Sequence, residues 1–143
     1  MSTPPLHGIR VVEFAGIGPG PFAGMMLADH GAEVIRIDRG ARGDGIAIAN
    51  RDPLLRNRKS IALDLKKPES IAAVRRIVAQ ADAIIEGFRP GVMERLGFGY
   101  EQLKAIKPDI IYLSNCGFGA TGPYQPFKTW GPIVQAISGL TYT

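Results

Sequence analysis

The sequence predicts an α/β protein with a doubly wound, Rossmann-like and mostly parallel sheet, and three observations carry that prediction. Short apolar, β-branched runs alternate along the chain with helical patterns. Glycines and prolines gather at the carboxyl ends of several of those runs, where such folds turn from strand to helix. No internal repeat, low-complexity tract or interdomain linker breaks the alternation, so residues 1–143 read as one unit.

The first unit is the stretch from Arg10 to Arg39. Arg10 to Phe14 is apolar and β-branched, as a buried parallel strand should be. Gly16-Ile17-Gly18-Pro19-Gly20-Pro21 follows, and Pro21 suits a first helical turn because its missing N–H has no partner there anyway. Phe22 to His30 reads as a helix, with Gly31 at its left-handed cap. Glu33 to Asp38 alternates outward charge with Val34, Ile35 and Ile37 and gives a second strand.

Arg39 to Lys59 reads as a polar, exposed loop, and loops this long in compact domains are often functional. Ser60 to Leu65 alternates as a third strand. Pro68 opens a helix with Ile71, Val74, Val78 and Ala81 inward and Arg75, Arg76 and Gln80 outward. Ala83 to Glu86 is a fourth, buried strand ending in the turn Gly87-Phe88-Arg89-Pro90-Gly91. Short helices are expected near Val92 to Leu96 and Tyr100 to Ile106. Asp109 to Ser114 is a fifth strand, and Ile133 to Ser138 a last helix capped by Gly139.

Composition bounds the function. At 45% apolar and 21% charged residues the chain is an ordinary globular protein, without the run of about 18 apolar residues that a membrane span needs. A single cysteine, Cys116, excludes an internal disulfide framework. With no signal-like N-terminus, the expected address is the cytoplasm. Between Arg36 and Lys67 nine Lys/Arg face four Asp, more excess charge than the whole chain's +4. That segment holds no aromatic residue, which argues against nucleic acid and for a polyphosphate ligand or a solvated face.

The first turn invites a dinucleotide reading, with Gly16 and Gly18 in place and Asp38 where a ribose-binding carboxylate would lie. Pro21 stands where the third glycine belongs, however, and Pro19 and Pro21 remove two N–H donors from a phosphate cradle. A tight turn that merely needs small residues is the plain alternative. Cys116 has no acidic or histidine neighbour in sequence and reads as a small structural thiol rather than a nucleophile.

The run GIGPGPFAGMMLADHGAEVIRIDR resembles the amino-terminal segment of the family III CoA-transferases (CaiB/BaiF type), which include the α-methylacyl-CoA racemases. The likeness continues through RNRKSIALDLKKPE, EGFRPGVMERLGFGYEQL, DIIYLSNCGFGATGPY and the closing QAISGL, so it covers nearly the whole chain. It implies a Rossmann-like domain that binds coenzyme A as acyl-CoA, within a homodimer whose chains are interlinked like rings, and no metal. Carried over residue by residue, Ile17, Arg39, Leu63, Gly87, Phe88, Arg89 and Arg95 would contact the nucleotide. Arg58 stands evenly between that role and a surface charge. Guanidinium forks suit phosphate oxygens, and these arginines are expected together on one rim of the sheet.

The family divides by chemistry. Its transferases move CoA between an acyl-CoA and a carboxylic acid through a nucleophilic aspartate. Its racemases use a histidine and an aspartate. The racemase histidine would fall near Trp130 and Gly131, and only His7 and His30 occur, so the transferase reading leads. From Ile110 to Thr143 there is no Asp, Glu or His. The expectation is therefore an amino-terminal portion of a longer enzyme, inactive alone, its catalytic aspartate beyond this chain and the sheet incomplete. A non-catalytic CoA-binding fragment is the remaining alternative. Tyr124 and Trp130 are expected to pack or to form the acyl-side wall.

Overall fold

The computed structural model describes residues 2–39 and 52–141. Strands β1 (Arg10–Phe14), β2 (Glu33–Asp38), β3 (Arg58–Ala62), β4 (Ala83–Glu86) and β5 (Ile111–Ser114) form one sheet in the order β3-β2-β1-β4-β5. Every pairing is parallel. The helices are α1 (Pro19–Asp29), α2 (Pro68–Val78), α3 (Val92–Leu96), α4 (Tyr100–Lys104) and α5 (Gly131–Ile137). A short 3-10 turn, Pro53–Leu55, precedes β3.

The sheet is covered on both faces, because the inner strands carry apolar side chains on both sides, interrupted by Glu13, Arg36 and Glu86. Val11, Val34 and Ile85 pack with Ala28 and Ala32 of α1 and its cap. On the other face Val12, Phe14, Ile37 and Ile84 meet Val74 and Val78 of α2, and Met93, Phe98 and Leu103 from the α3–α4 segment. The Phe14 and Phe98 rings lie 5.4 Å apart, tilted by 47°. The two windings separate between β1 and β4, which places the switch point of the fold at their carboxyl ends.

Helix α1 starts three residues before the expected Phe22. Pro19 and Pro21 both fall within the first turn, whose N–H groups have no intrahelical acceptor, so two prolines there sacrifice no bond. Its far end closes as expected. Gly31 N–H donates to the Ala28 carbonyl and Ala32 N–H to that of Leu27, with Gly31 at φ +99°. A Cβ at Gly31 would also collide with the Pro4 ring. Gly31→Ala is therefore expected to cost about 2 kcal/mol of stability, read from urea denaturation, and an unchanged midpoint would contradict it.

Two expectations about strands need correcting. The third strand covers Arg58–Ala62 rather than Ser60–Leu65, because its first two cations are paired, Arg58 with Glu13 and Lys59 with Glu33. In β2, Arg36 does not point to solvent: its side chain is 12% exposed and turns onto Glu13. The loop expected at Arg39 to Lys59 lies, in its part 40–51, outside the described residues.

At the other edge the cover thins. Ile111 and Leu113 of β5 are 67% and 46% exposed, and α5 buries none of its residues. Trp130 and Tyr124 are each 61% exposed, and among the described residues the Tyr124 ring packs only within its own segment, against Phe118 and Phe127 at centroid distances of 5.7 and 5.9 Å. No helix among the described residues is long and apolar enough to cross a membrane.

Candidate functional site

The carboxyl ends of the strands bring most of the expected residues to one rim. Ile17 stands exposed in the turn after β1, with Gly18 at φ +74° and Gly20 buried against Ile85 of β4. Arg39 follows β2 directly and is exposed. Leu63 follows β3, its N–H donating to the Asp38 carbonyl at 2.9 Å. Gly87, Phe88 and Arg89 follow β4. Phe88 rests half-buried on the core. Arg89 is exposed and donates from Nη2 to the Pro126 carbonyl at 3.1 Å, beside a shallow groove lined by Pro90 and Gln125.

Arg95 lies one helix further on, yet the fold returns it to the same turn. Gly91, at φ +80°, begins α3, and a Cβ there would sit 3.2 Å from Arg95 Nη1. The guanidinium is thus folded back over the β4 turn, with no side-chain hydrogen bond or ion pair among the described residues. An exposed guanidinium held over a glycine turn can approach a phosphate through its planar fork.

Arg58 departs from this arrangement. It begins β3, opposite Val34, at the amino end of the sheet rather than on the rim. Its side chain is 1% exposed and its Nη1 bonds Glu13, which is itself wholly buried. Nε and Nη2 are buried without a hydrogen-bond partner among the described residues. The expectation of a shared rim fails for Arg58 because burial beside a carboxylate is what makes this cation tolerable.

Glu13 and Arg36 are the residues that sequence reasoning missed. Glu13 Oε1 accepts from Arg36 Nη1 at 2.7 Å, and Arg36 Nε donates to Asp38 Oδ1 at 2.9 Å. Asp38 Oδ2 then accepts from Ser60 at 2.6 Å. Both oxygens of the carboxylate that a dinucleotide reading assigns to a ribose are thus already engaged. Burial pushes the Glu13 carboxyl above its ordinary value, against the pull of Arg58 and Arg36. The available signal was Glu13 itself, a lone acid inside the apolar strand RVVEF.

His30 closes α1, its Nδ1 2.7 Å from the Met26 carbonyl. His7 lines a hollow at the amino ends of the strands, with Arg10, Glu33 and Asn57. The described residues therefore place no histidine on the rim. Among them there is also no group of three His, Cys, Asp or Glu side chains able to hold a metal. Cys116 is half-buried in the segment after β5.

A parallel α/β sheet whose switch-point rim carries glycine turns and arginines defines a protein of the doubly wound α/β class. The family model for CoA-transferase family III matches residues 6–143, and the chain belongs to that family. It is 41% identical over 96% of its length to a succinate–glutarate CoA-transferase of Agrobacterium fabrum, covering 38% of that protein. It is 48% identical over 94% of its length to an α-methylacyl-CoA racemase of Mus musculus, covering 34%. A CAIB/BAIF family protein from Brucella suis superposes with a TM-score of 0.86 at 36% identity, over 96% of this chain and 40% of that one. The chain thus spans little more than a third of the length of these curated relatives.

Proposed function

We propose that this chain forms the CoA-nucleotide cradle of a family III CoA-transferase, which moves CoA between an acyl-CoA and a carboxylic acid. The observation that carries the reading is that Arg39 and Arg89 follow strands at the carboxyl rim of the sheet, while Arg95 folds back onto Gly91 in the turn that holds Arg89. CoA is a polyphosphorylated nucleotide, and three guanidiniums with glycine turns beside them are the chemistry its phosphates require. Ile17, Leu63, Gly87 and Phe88 would line the adenine and ribose. Arg58 is left out of this cradle because its side chain is buried on Glu13.

The catalytic aspartate has no counterpart in residues 110–143, which contain no Asp or Glu. In this reading it lies on further polypeptide, within a cytoplasmic homodimer of interlinked chains. The exposed apolar side chains of β5 and α5 are the surface that such polypeptide would cover. The racemase reading is favoured by the 48% identity to a racemase and opposed by the absence of histidine from the described rim. A non-catalytic CoA-binding fragment would use the same cradle.

Calorimetric titration of the chain with CoA tests the cradle. Arg39→Ala and Arg95→Ala are each expected to weaken saturable binding by about tenfold, the worth of one lost charge-assisted contact. Folded wild-type chain that takes up no CoA would refute the reading. Unchanged affinity in both variants would remove these arginines from it.

A further inference from the structure

We infer that Glu86 is the positioning residue of the turn after β4: its buried carboxylate sets the backbone that presents Phe88 and Arg89 to the nucleotide. The inference rests on the CoA reading above and adds to it a residue that contacts no ligand.

Glu86 ends β4, opposite Ser114 of β5, and is only 4% exposed. A carboxylate taken this far from water loses hydration and needs compensation. The other deeply buried carboxylate, Glu13, has two guanidiniums. Glu86 has no cation within ion-pair distance among the described residues. Its charge acts on Tyr112, on the neighbouring strand, as does that of Glu94. The Tyr112 phenol is pushed up by burial first and then by those two carboxylates. Ion pairing therefore does not explain the burial of Glu86.

What Glu86 does hold is backbone. Its Oε2 accepts the Phe88 N–H at 2.7 Å, within the range of charge-assisted bonds. The side chain thereby closes the turn two residues ahead. Its own carbonyl accepts the Asn115 N–H at 2.9 Å and so ties down the start of the segment after β5. One residue registers both strand exits. With the Phe88 N–H anchored, the ring seats on the core and Arg89 is directed outward, where its Nη2 meets Pro126 of the β5 segment. Losing the carboxylate would leave a partly buried N–H without its acceptor and free the turn.

The test compares Glu86→Gln, Glu86→Leu and the core variant Val78→Ala. The Phe88 amide is followed in nitrogen–proton correlation spectra, and CoA affinity by calorimetry. Glutamine retains an acceptor oxygen, so Glu86→Gln is expected to keep CoA affinity within about threefold while the Phe88 amide proton moves upfield. Glu86→Leu is expected to lose affinity by about tenfold or more. Val78→Ala destabilises the same face without touching the turn, and is expected to leave affinity unchanged. Folded Glu86→Leu that binds CoA like wild type overturns the inference. So does a fall in Val78→Ala equal to that in Glu86→Leu, which would reduce Glu86 to general stability. If Glu86→Leu does not fold, a Phe88 amide unmoved in Glu86→Gln overturns it alone. A wild type that takes up no CoA defeats the nucleotide reading and the ligand half of this inference, while the Phe88 amide still decides whether Glu86 holds the turn.

Discussion

Arg58→Met is expected to lower the unfolding free energy by about 3–5 kcal/mol at neutral pH, because it strands Glu13 inside the protein with Arg36 alone. The double variant Glu13→Leu/Arg58→Met is expected to recover most of that loss, since apolar groups of similar size need no compensation. The deficit also depends on pH, and its sign follows from Glu13. The folded-state carboxyl already sits above its ordinary value through burial, and removing Arg58 raises it further. A raised carboxyl in the folded state costs nothing below the unfolded value, where both states are protonated. The cost grows as pH rises from there through the folded value. The Arg58→Met deficit should therefore shrink on acidification from pH 7 to about pH 5. Urea denaturation of the three proteins at both pH values checks this. A single variant as stable as wild type, or a double variant worse than the single, would show that the pair is not the buried unit described here.

The second large effect concerns Gly24, in the middle of α1. On helix propensity alone, Gly24→Ala should stabilise the protein by about 1 kcal/mol. Here the opposite sign is expected. A Cβ at Gly24 would run into Glu13 Oε2, and would stand 3.2 Å from Glu13 Cδ and 3.0 Å from Arg58 Nη1. The helix lies directly on the ion pair, whose side chains are buried and bonded to each other, so moving either one strains that pair. Gly24→Ala is expected to cost about 2 kcal/mol and Gly24→Val about 3 kcal/mol. In a Glu13→Ala background the Gly24→Ala penalty should largely vanish, because the obstructing carboxylate is gone. Thermal or urea denaturation of this cycle reads the coupling. A stabilising Gly24→Ala in the wild-type background would sink the argument.

Much of the architecture was legible because it depends on local pattern. The strand Arg10–Phe14, the helical stripe of Val74 and Val78 and the cap at Gly31 follow from apolar periodicity and the stereochemistry of glycine. Boundaries slipped where pairing outweighed pattern. Arg58 and Lys59 look too polar for a strand, yet each meets a carboxylate of another strand. Arg36 was expected outside for the same reason, since its partner Glu13 stands 23 residues earlier and adjacent only across the sheet.

The candidate site divides in the same way. Arg39 directly follows β2 and Arg89 lies in the turn after β4, so placing the strands placed them on the rim. Arg95 required the left-handed Gly91 and one short helix to come back to that rim. Arg58 carried the same charge and resemblance but went to the interior. Sequence by itself determined the order of strands and helices, the family and the chemistry available at the strand ends, because these reside in residue types and short-range spacing. Only the tertiary structure decided which arginines face solvent and which is buried, and that Glu86 spends its carboxylate on a backbone N–H. Those outcomes depend on distances between strands remote in sequence, and on the cost of dehydrating a charge, which exists only once the chain has closed around it.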